Sequence, residues 1–211
     1  LKIAAVVATL ADCGVSAQAA LAGTGLTEDQ LRIPQTRSSI QQLLIVGRNA
    51  LKWVDRVDLG VRAGLRMHAS AYGMYGYALL CAESLRHAYE MAVRYHQLAT
   101  PVMTLHWVQT DDQAVWVFPP PSELAHLDLS EAEYQFFLDM QFAVHMTMMK
   151  DVMGPWCTPS CARFALSDPE PERSEALSRA LECPVSFGQP RNELHYPAEW
   201  LDRAPQLANP L

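Results

Sequence analysis

Charge is scarce in this chain, and positive charge is scarcer still. Asp, Glu, Lys and Arg make up 18% of 211 residues, and 16 basic against 23 acidic side chains leave a formal net charge of -7. No run of Lys and Arg occurs anywhere in it. A surface that grips phosphates needs such clusters, so this segment is not expected to touch nucleic acid itself. No apolar run approaches the roughly 20 residues that span a bilayer, so no membrane partner is expected. The Gly-x-Ser-x-Gly elbow, the P-loop, the dinucleotide fingerprint and His-Glu-x-x-His are all missing. Nothing combines a nucleophile, a base and an orienting group, so neither an enzyme nor a cofactor is expected. Internal repeats and low-complexity tracts are absent too.

Five cysteines (Cys13, Cys81, Cys157, Cys161 and Cys183) form an odd set without framework spacing. They read as reduced thiols in a cytoplasmic protein. Cys157-x-x-x-Cys161, with Cys183 and His195 further on, departs from the Cys-x-x-Cys knuckle, and Pro159 interrupts it. No metal is expected there.

What the chain has in quantity is hydrophobic residues, at 50%, which suits a large buried core. Residues 1–10 resemble a signal peptide until Asp12 breaks the run and the pattern continues as amphipathic helix. Leu at position 1, in place of Met, suggests a trimmed chain. The first half reads as helix: residues 2–13 and 16–22 around Gly14, then a short capped turn at 27–30. A long helix follows from Ser38 or Ser39 to about Val54, then a short one over 58–66. A glycine-punctuated stretch from Tyr72 leads into a helix over 83–98, with Leu85, Ala88, Tyr89, Ala92 and Tyr95 on its inner face.

The second half changes period. Strands are expected at 102–109 and 114–118 around a hairpin turn, and at 163–166. Ser130 opens a long helix to about Met153, and a further helix covers 173–181. The ending alternates Val185 and Phe187, turns at Gly188, then alternates Leu194 and Tyr196 until Pro197. This reads as two short strands around a turn, closed by a latch at Trp200 and Leu201. The expected class is α+β, an N-terminal helical layer packed on a mainly antiparallel sheet with interspersed helices. One domain over residues 1–211 is expected, helical to about 99 and α+β over about 100–203.

Several residues suggest a ligand site. Phe137, Gln141, Val144, His145 and Met148 recur at helical spacing, so two hydrogen-bonding groups lie on an otherwise apolar face. A core helix with satisfied polar groups fits the same spacing. His106 alternates in phase with Val108, and Trp116 lies across the hairpin, where an aromatic with a polar tip suits a ligand lining. Tyr72, Tyr75 and Tyr77 sit among glycines that permit close approach, where they suit a pocket lining or plain packing. The candidates are therefore Tyr75, His106, Trp116, Phe137, Gln141 and His145, each with a plain packing role as its alternative.

The segment from Gly73-Met-Tyr-Gly-Tyr to Tyr95-His resembles the glycine-led helix of the "arabinose-binding" type N-terminal domain of AraC/XylS-family transcription regulators. The ending from Phe187-Gly-Gln-Pro-Arg-Asn to Ala208-Asn-Pro is similar to that domain's closing motif. Ile33-Pro34 and Leu59-Gly60-Val61-Arg62-Ala63-Gly64 resemble further landmarks in the same order, so the match covers essentially the whole chain. Ala204-Pro205-Gln206 departs from the usual Pro-Leu-Pro, in an exit segment where little effect on sensing is expected. The resemblance implies an effector-binding, homodimerising domain of a bacterial transcription activator. The effector would be an amino acid, an organic acid or a fatty acid. DNA would be reached only through a C-terminal helix-turn-helix domain, which this chain lacks. The chain has no all-β cupin pattern, so sugar specificity does not carry over. A ligand-free dimerisation module is the alternative.

Overall fold

Hydroxyl side chains start several of the helices by accepting backbone N–H groups that a first helical turn leaves unpaired. A computed structural model describes residues 2–33, 36–99, 102–167 and 171–208. Helix α1 (Lys2–Asp12) is followed by α2 (Ala17–Ala20), where Ser16 accepts from Ala19 N at 3.2 Å. Reciprocal capping boxes open α3 (Glu28–Leu31) through Thr27 and Gln30, and α4 (Ile40–Trp53) through Ser39 and Gln42. The chain continues through α5 (Leu59–Gly64), α6 (Gly73–Leu80) and α7 (Leu85–Ala99). Of the Ile33-Pro34 pair, Pro34 lies outside the described residues, as does Pro210.

The central element is α8 (Glu131–Met153), opened by a third capping box between Ser130 and Glu133. It is buried on nearly every side along its length, not on one face as an amphipathic reading expects. The reason is its position: α4 and α5 pack on one side of it, and its ring side chains meet the sheet on the other. Phe142 stacks on Phe118 at 4.2 Å and on Phe164 at 4.4 Å. The N-terminal layer thus reaches the sheet chiefly through α8, with α7 adding Tyr89 against Trp116. Ser130→Ala removes one capping acceptor from this helix and is expected to cost about 1 kcal/mol. Thermal denaturation checks it, with Tm falling by about 2–4 °C in a chain of this size.

The sheet has five strands, β1 (His106–Gln109), β2 (Gln113–Phe118), β3 (Cys161–Arg163), β4 (Val185–Ser186) and β5 (Asn192–Pro197), in the order β1-β2-β5-β3-β4. All pairs are antiparallel except β3 with β4, which helix α9 (Pro171–Leu181) separates in sequence. The α+β class with a mainly antiparallel sheet is therefore what the chain adopts. Ala114, Trp116, Phe118, Ala162, Leu194 and Tyr196 point toward the helices and are fully buried.

Several local expectations are corrected. The first strand begins at His106, not at residue 102, because Val102, Met103 and Leu105 are all buried and feed the core as an irregular segment. The 163–166 strand lies instead at Cys161–Arg163. Residues beyond it bond the 186–189 loop, with Phe164 N donating to Ser186 O at 2.8 Å and Gln189 N to Phe164 O at 3.0 Å. The last two strands flank a turn in sequence but are not neighbours, since β3 sits between them. Gly188, at φ +64, helps carry the chain across. On α7, Tyr95 faces solvent and His96 takes the inward position.

Beyond β5 the chain forms the expected latch. Leu201 is fully buried, and Trp200 meets Trp156 edge-on at 4.9 Å. Leu85 N donates to Arg203 O at 2.9 Å and Arg86 N to Leu201 O at 2.7 Å, which satisfies unpaired amides at the start of α7. Gln206 N donates to Val152 O near the end of α8 at 3.0 Å. The exit segment is therefore tied to α7 and α8 at once. Among the described residues, no helix is long and apolar enough to cross a membrane.

Candidate functional site

Helices α6, α7 and α8 and strand β2 meet around a small void of about 30 Å3. Its wall is built from Tyr72 and Tyr75, Ala92 and His96, Gln141, His145 and Met148, and Trp116. Helical spacing brings Gln141, Val144, His145 and Met148 onto one side of α8, as their positions require. Alternation along β2 turns Trp116 to the same place. The volume accommodates about one water, so any metabolite has to displace side chains to enter. The two methionines, Met148 and Met149, are the flexible part of the wall.

Four of the six candidate residues come together here: Tyr75, Trp116, Gln141 and His145. The other two stand elsewhere. His106 lies on β1 opposite Val117, on the sheet face turned away from the helices, and is exposed. Phe137 is buried against α4, where the absence of a side chain at Gly47 makes room for its ring. Tyr72, which sits among the same glycines as Tyr75, also joins the wall, as does His96, which the sequence reading passed over. His96 carried a usable signal, since it lies four residues after Ala92 and seven after Tyr89 on the buried face of α7.

The polar groups of the site are mostly bonded to backbone. Nδ1 of His145 lies 3.0 Å from the Gln141 carbonyl oxygen, and its ring packs at 5.0 Å from Trp116 and 5.1 Å from Phe118. Burial pushes its pKa down to about 3, with smaller downward pushes from His96 and Lys2 and an opposing pull from the Gln141 carbonyl. His145 is surrounded by protein yet keeps some free area, so that area belongs to the wall of the void. Burial also lowers the pKa of His96, whose Nε2 contacts the Met103 carbonyl. The Tyr75 hydroxyl, pushed up to about 12 by burial, donates to Ala92 O at 3.5 Å. Trp116 packs on Tyr89 with ring centroids 4.6 Å apart. The Tyr196 hydroxyl finds no hydrogen-bond partner among the described residues.

No group of three or more His, Cys, Asp or Glu is arranged to hold a metal among the described residues. Burial raises the thiol pKa of both Cys157 and Cys183 to about 12. Chemically the wall presents a neutral imidazole, an amide and hydroxyls as hydrogen-bonding groups among apolar side chains.

Comparison with known proteins matches this architecture to one family. The profile of the arabinose-binding N-terminal domain of the AraC transcription regulator matches residues 14–205. The chain is 25% identical over 203 residues to the ornithine utilization regulator of Pseudomonas aeruginosa, covering 95% of this chain and 57% of that protein. It is 24% identical over 199 residues to an uncharacterised helix-turn-helix transcriptional regulator of Mycobacterium bovis, covering 90% of this chain and 54% of that one. The chain thus spans about half the length of the curated relatives it matches. Its fold is similar to the crystal structure of the transcriptional regulator CdpR from Pseudomonas aeruginosa, at a TM-score of 0.66 and 14% identity, over 86% of this chain and 56% of that one. The chain belongs to the arabinose-binding N-terminal domain family of AraC-type transcription regulators, a family of regulators and not of enzymes.

Proposed function

We propose that this chain is the effector-sensing and homodimerising unit of a cytoplasmic transcription activator, and that its effector enters the void between α6, α7, α8 and β2. Residues 1–211 act as one sensing unit, and DNA is read by a helix-turn-helix domain outside it. The observation that carries the reading is a shared attachment. The helices that wall the void, α7 and α8, are the same two that hold the exit segment through Leu85, Arg86 and Val152. An effector that spreads α7 from α8 changes the distance between those anchor points, and so redirects whatever follows residue 206. It can do so only by binding one arrangement better than the other, at about 1.4 kcal/mol for each tenfold shift in population.

A second reading, a dimerisation module without a ligand, draws on the small size of the void. One experiment separates the two. Amino acids, including the ornithine suggested by the relative's name, organic acids and fatty acids are screened by thermal denaturation together with tryptophan fluorescence. An effector at a hundred times its Kd is expected to add about 2.7 kcal/mol, raising Tm by about 5–10 °C. Fluorescence should change through Trp116. If no compound moves either signal while the full-length regulator still responds to its inducer in cells, sensing by this domain is refuted. Sedimentation at micromolar concentration tests self-association directly.

A further inference from the structure

The polar atoms of the void select a chemical class of effector, an inference that rests on the effector reading above. A backbone carbonyl oxygen only accepts hydrogen bonds. Nδ1 of His145, 3.0 Å from Gln141 O, must therefore carry the proton. The Gln141 side-chain amide, 3.2 Å from the same Nδ1, meets that N–H with its oxygen once the amide is turned over. This leaves Nε2 of His145 as a bare acceptor, with no hydrogen bond to any described residue. The imidazole stays neutral throughout the physiological range, since burial holds its pKa near 3.

No negative charge in the wall balances a cation. No carboxylate lines the void. Lys2, which bears on the void together with His96, places its nitrogen 6.0 Å from the centroid of the Tyr72 ring; burial lowers its pKa to about 7, so it is only partly charged near neutral pH, and no described acid pairs with it. An ammonium entering this space would lose its hydration and gain only aromatic faces and neutral acceptors in return, with no counter-charge. Leu79, Val144, Met148 and Met149 supply hydrocarbon contact instead.

We propose that the void takes a largely apolar, uncharged compound that donates a single hydrogen bond, from a hydroxyl or ring N–H, to Nε2 of His145, and that it rejects cationic compounds. Phenol, toluene, benzoate and tyramine test this at nearly constant ring size, with isothermal calorimetry on the intact chain. Phenol is expected to bind about tenfold more tightly than toluene, the scale of one buried hydrogen bond. Tyramine is expected to bind more weakly than either. In His145→Phe, phenol should fall to the level of toluene while toluene binding persists. Should that variant not fold, the imidazole nitrogen resonances of the unaltered protein give the same answer: Nε2 of His145 moves on adding phenol and stays put on adding toluene. Tyramine or toluene binding as tightly as phenol would overturn the proposal and leave the effector site standing. So would benzoate binding more tightly than phenol in a manner lost on Lys2→Met. Binding of none of the four, with the inducer of the full-length regulator also failing to bind, removes both the proposal and the site.

Discussion

Arg173→Met is expected to destabilise the protein by about 1–3 kcal/mol at pH 8, because it leaves Asp139 buried without its partner and forces it to take up a proton. Asp139 is 2% exposed on α8, and Nη2 of Arg173, from α9, lies 2.9 Å from its carboxylate. Arg173 is itself largely covered, with Nη1 reaching Val57 O at 3.5 Å. Burial pushes the Asp139 pKa up to about 7, and the guanidinium opposes that rise. Removing the guanidinium leaves burial unopposed, so the pKa climbs further.

The pH dependence follows with a definite sign. A carboxyl whose folded pKa lies above its unfolded value of 3.8 holds its proton in the native state while the unfolded chain has lost it. Stability from this group therefore falls as pH rises from about 4 to the folded value, and it is flat above that. In Arg173→Met the window extends to higher pH. The loss relative to the unaltered protein should thus be larger at pH 8 than at pH 5, where Asp139 is protonated and no charge is stranded. Urea denaturation at the two pH values checks this. Combining Asp139→Leu with Arg173→Met should recover most of the loss, since an apolar pair needs no partner. A loss below about 1 kcal/mol at pH 8 would show that the pair behaves as an exposed one.

The second large effect is expected at Gly64. In an ordinary exposed helix, glycine to alanine gains about 1 kcal/mol. Here α5 lies so close to α8 that a Cβ at Gly64 runs into the Met140 carbonyl oxygen and comes within 2.7 Å of the Ala143 Cβ. Gly60, one turn earlier, is confined in the same way by the Phe136 carbonyl. Backbone of a buried helix cannot rotate aside as a flexible side chain can, so the sign of the substitution reverses. Gly64→Ala is expected to cost about 1–3 kcal/mol, whereas Arg62→Ala on the solvent side of α5 should stay within about 0.5 kcal/mol. Chemical denaturation of both variants decides it. A neutral or stabilising Gly64→Ala would mean that the two helices have room to separate.

These glycines also show what could be read early and what could not. The Leu59–Gly64 motif is visible in the string, yet the need for glycine there lies in the backbone of α8, at Phe136 and Met140 far along the chain. The same division runs through the void. Gln141 and His145 share a side of α8 by spacing alone, and alternation puts Trp116 on one face with Ala114 and Phe118, but only the packing shows that this face meets the helices. His106 is equally well phased within its strand but points to the opposite face of the sheet. Phe137, one turn before Gln141, meets α4 because α8 is enclosed by protein all round and its successive turns have different neighbours.

By itself the sequence determined where helices begin, since Ser39 and Ser130 bond amides three residues away, and which side of each element is apolar. It also carried the family motifs. The tertiary structure alone decided that β3 lies between β4 and β5, that His96 in place of Tyr95 turns inward, and that Arg173 answers Asp139 across the core. The physical reason is range: capping and periodicity act within a turn or two of chain, whereas the partner of a buried group is chosen by whichever distant element packs against it.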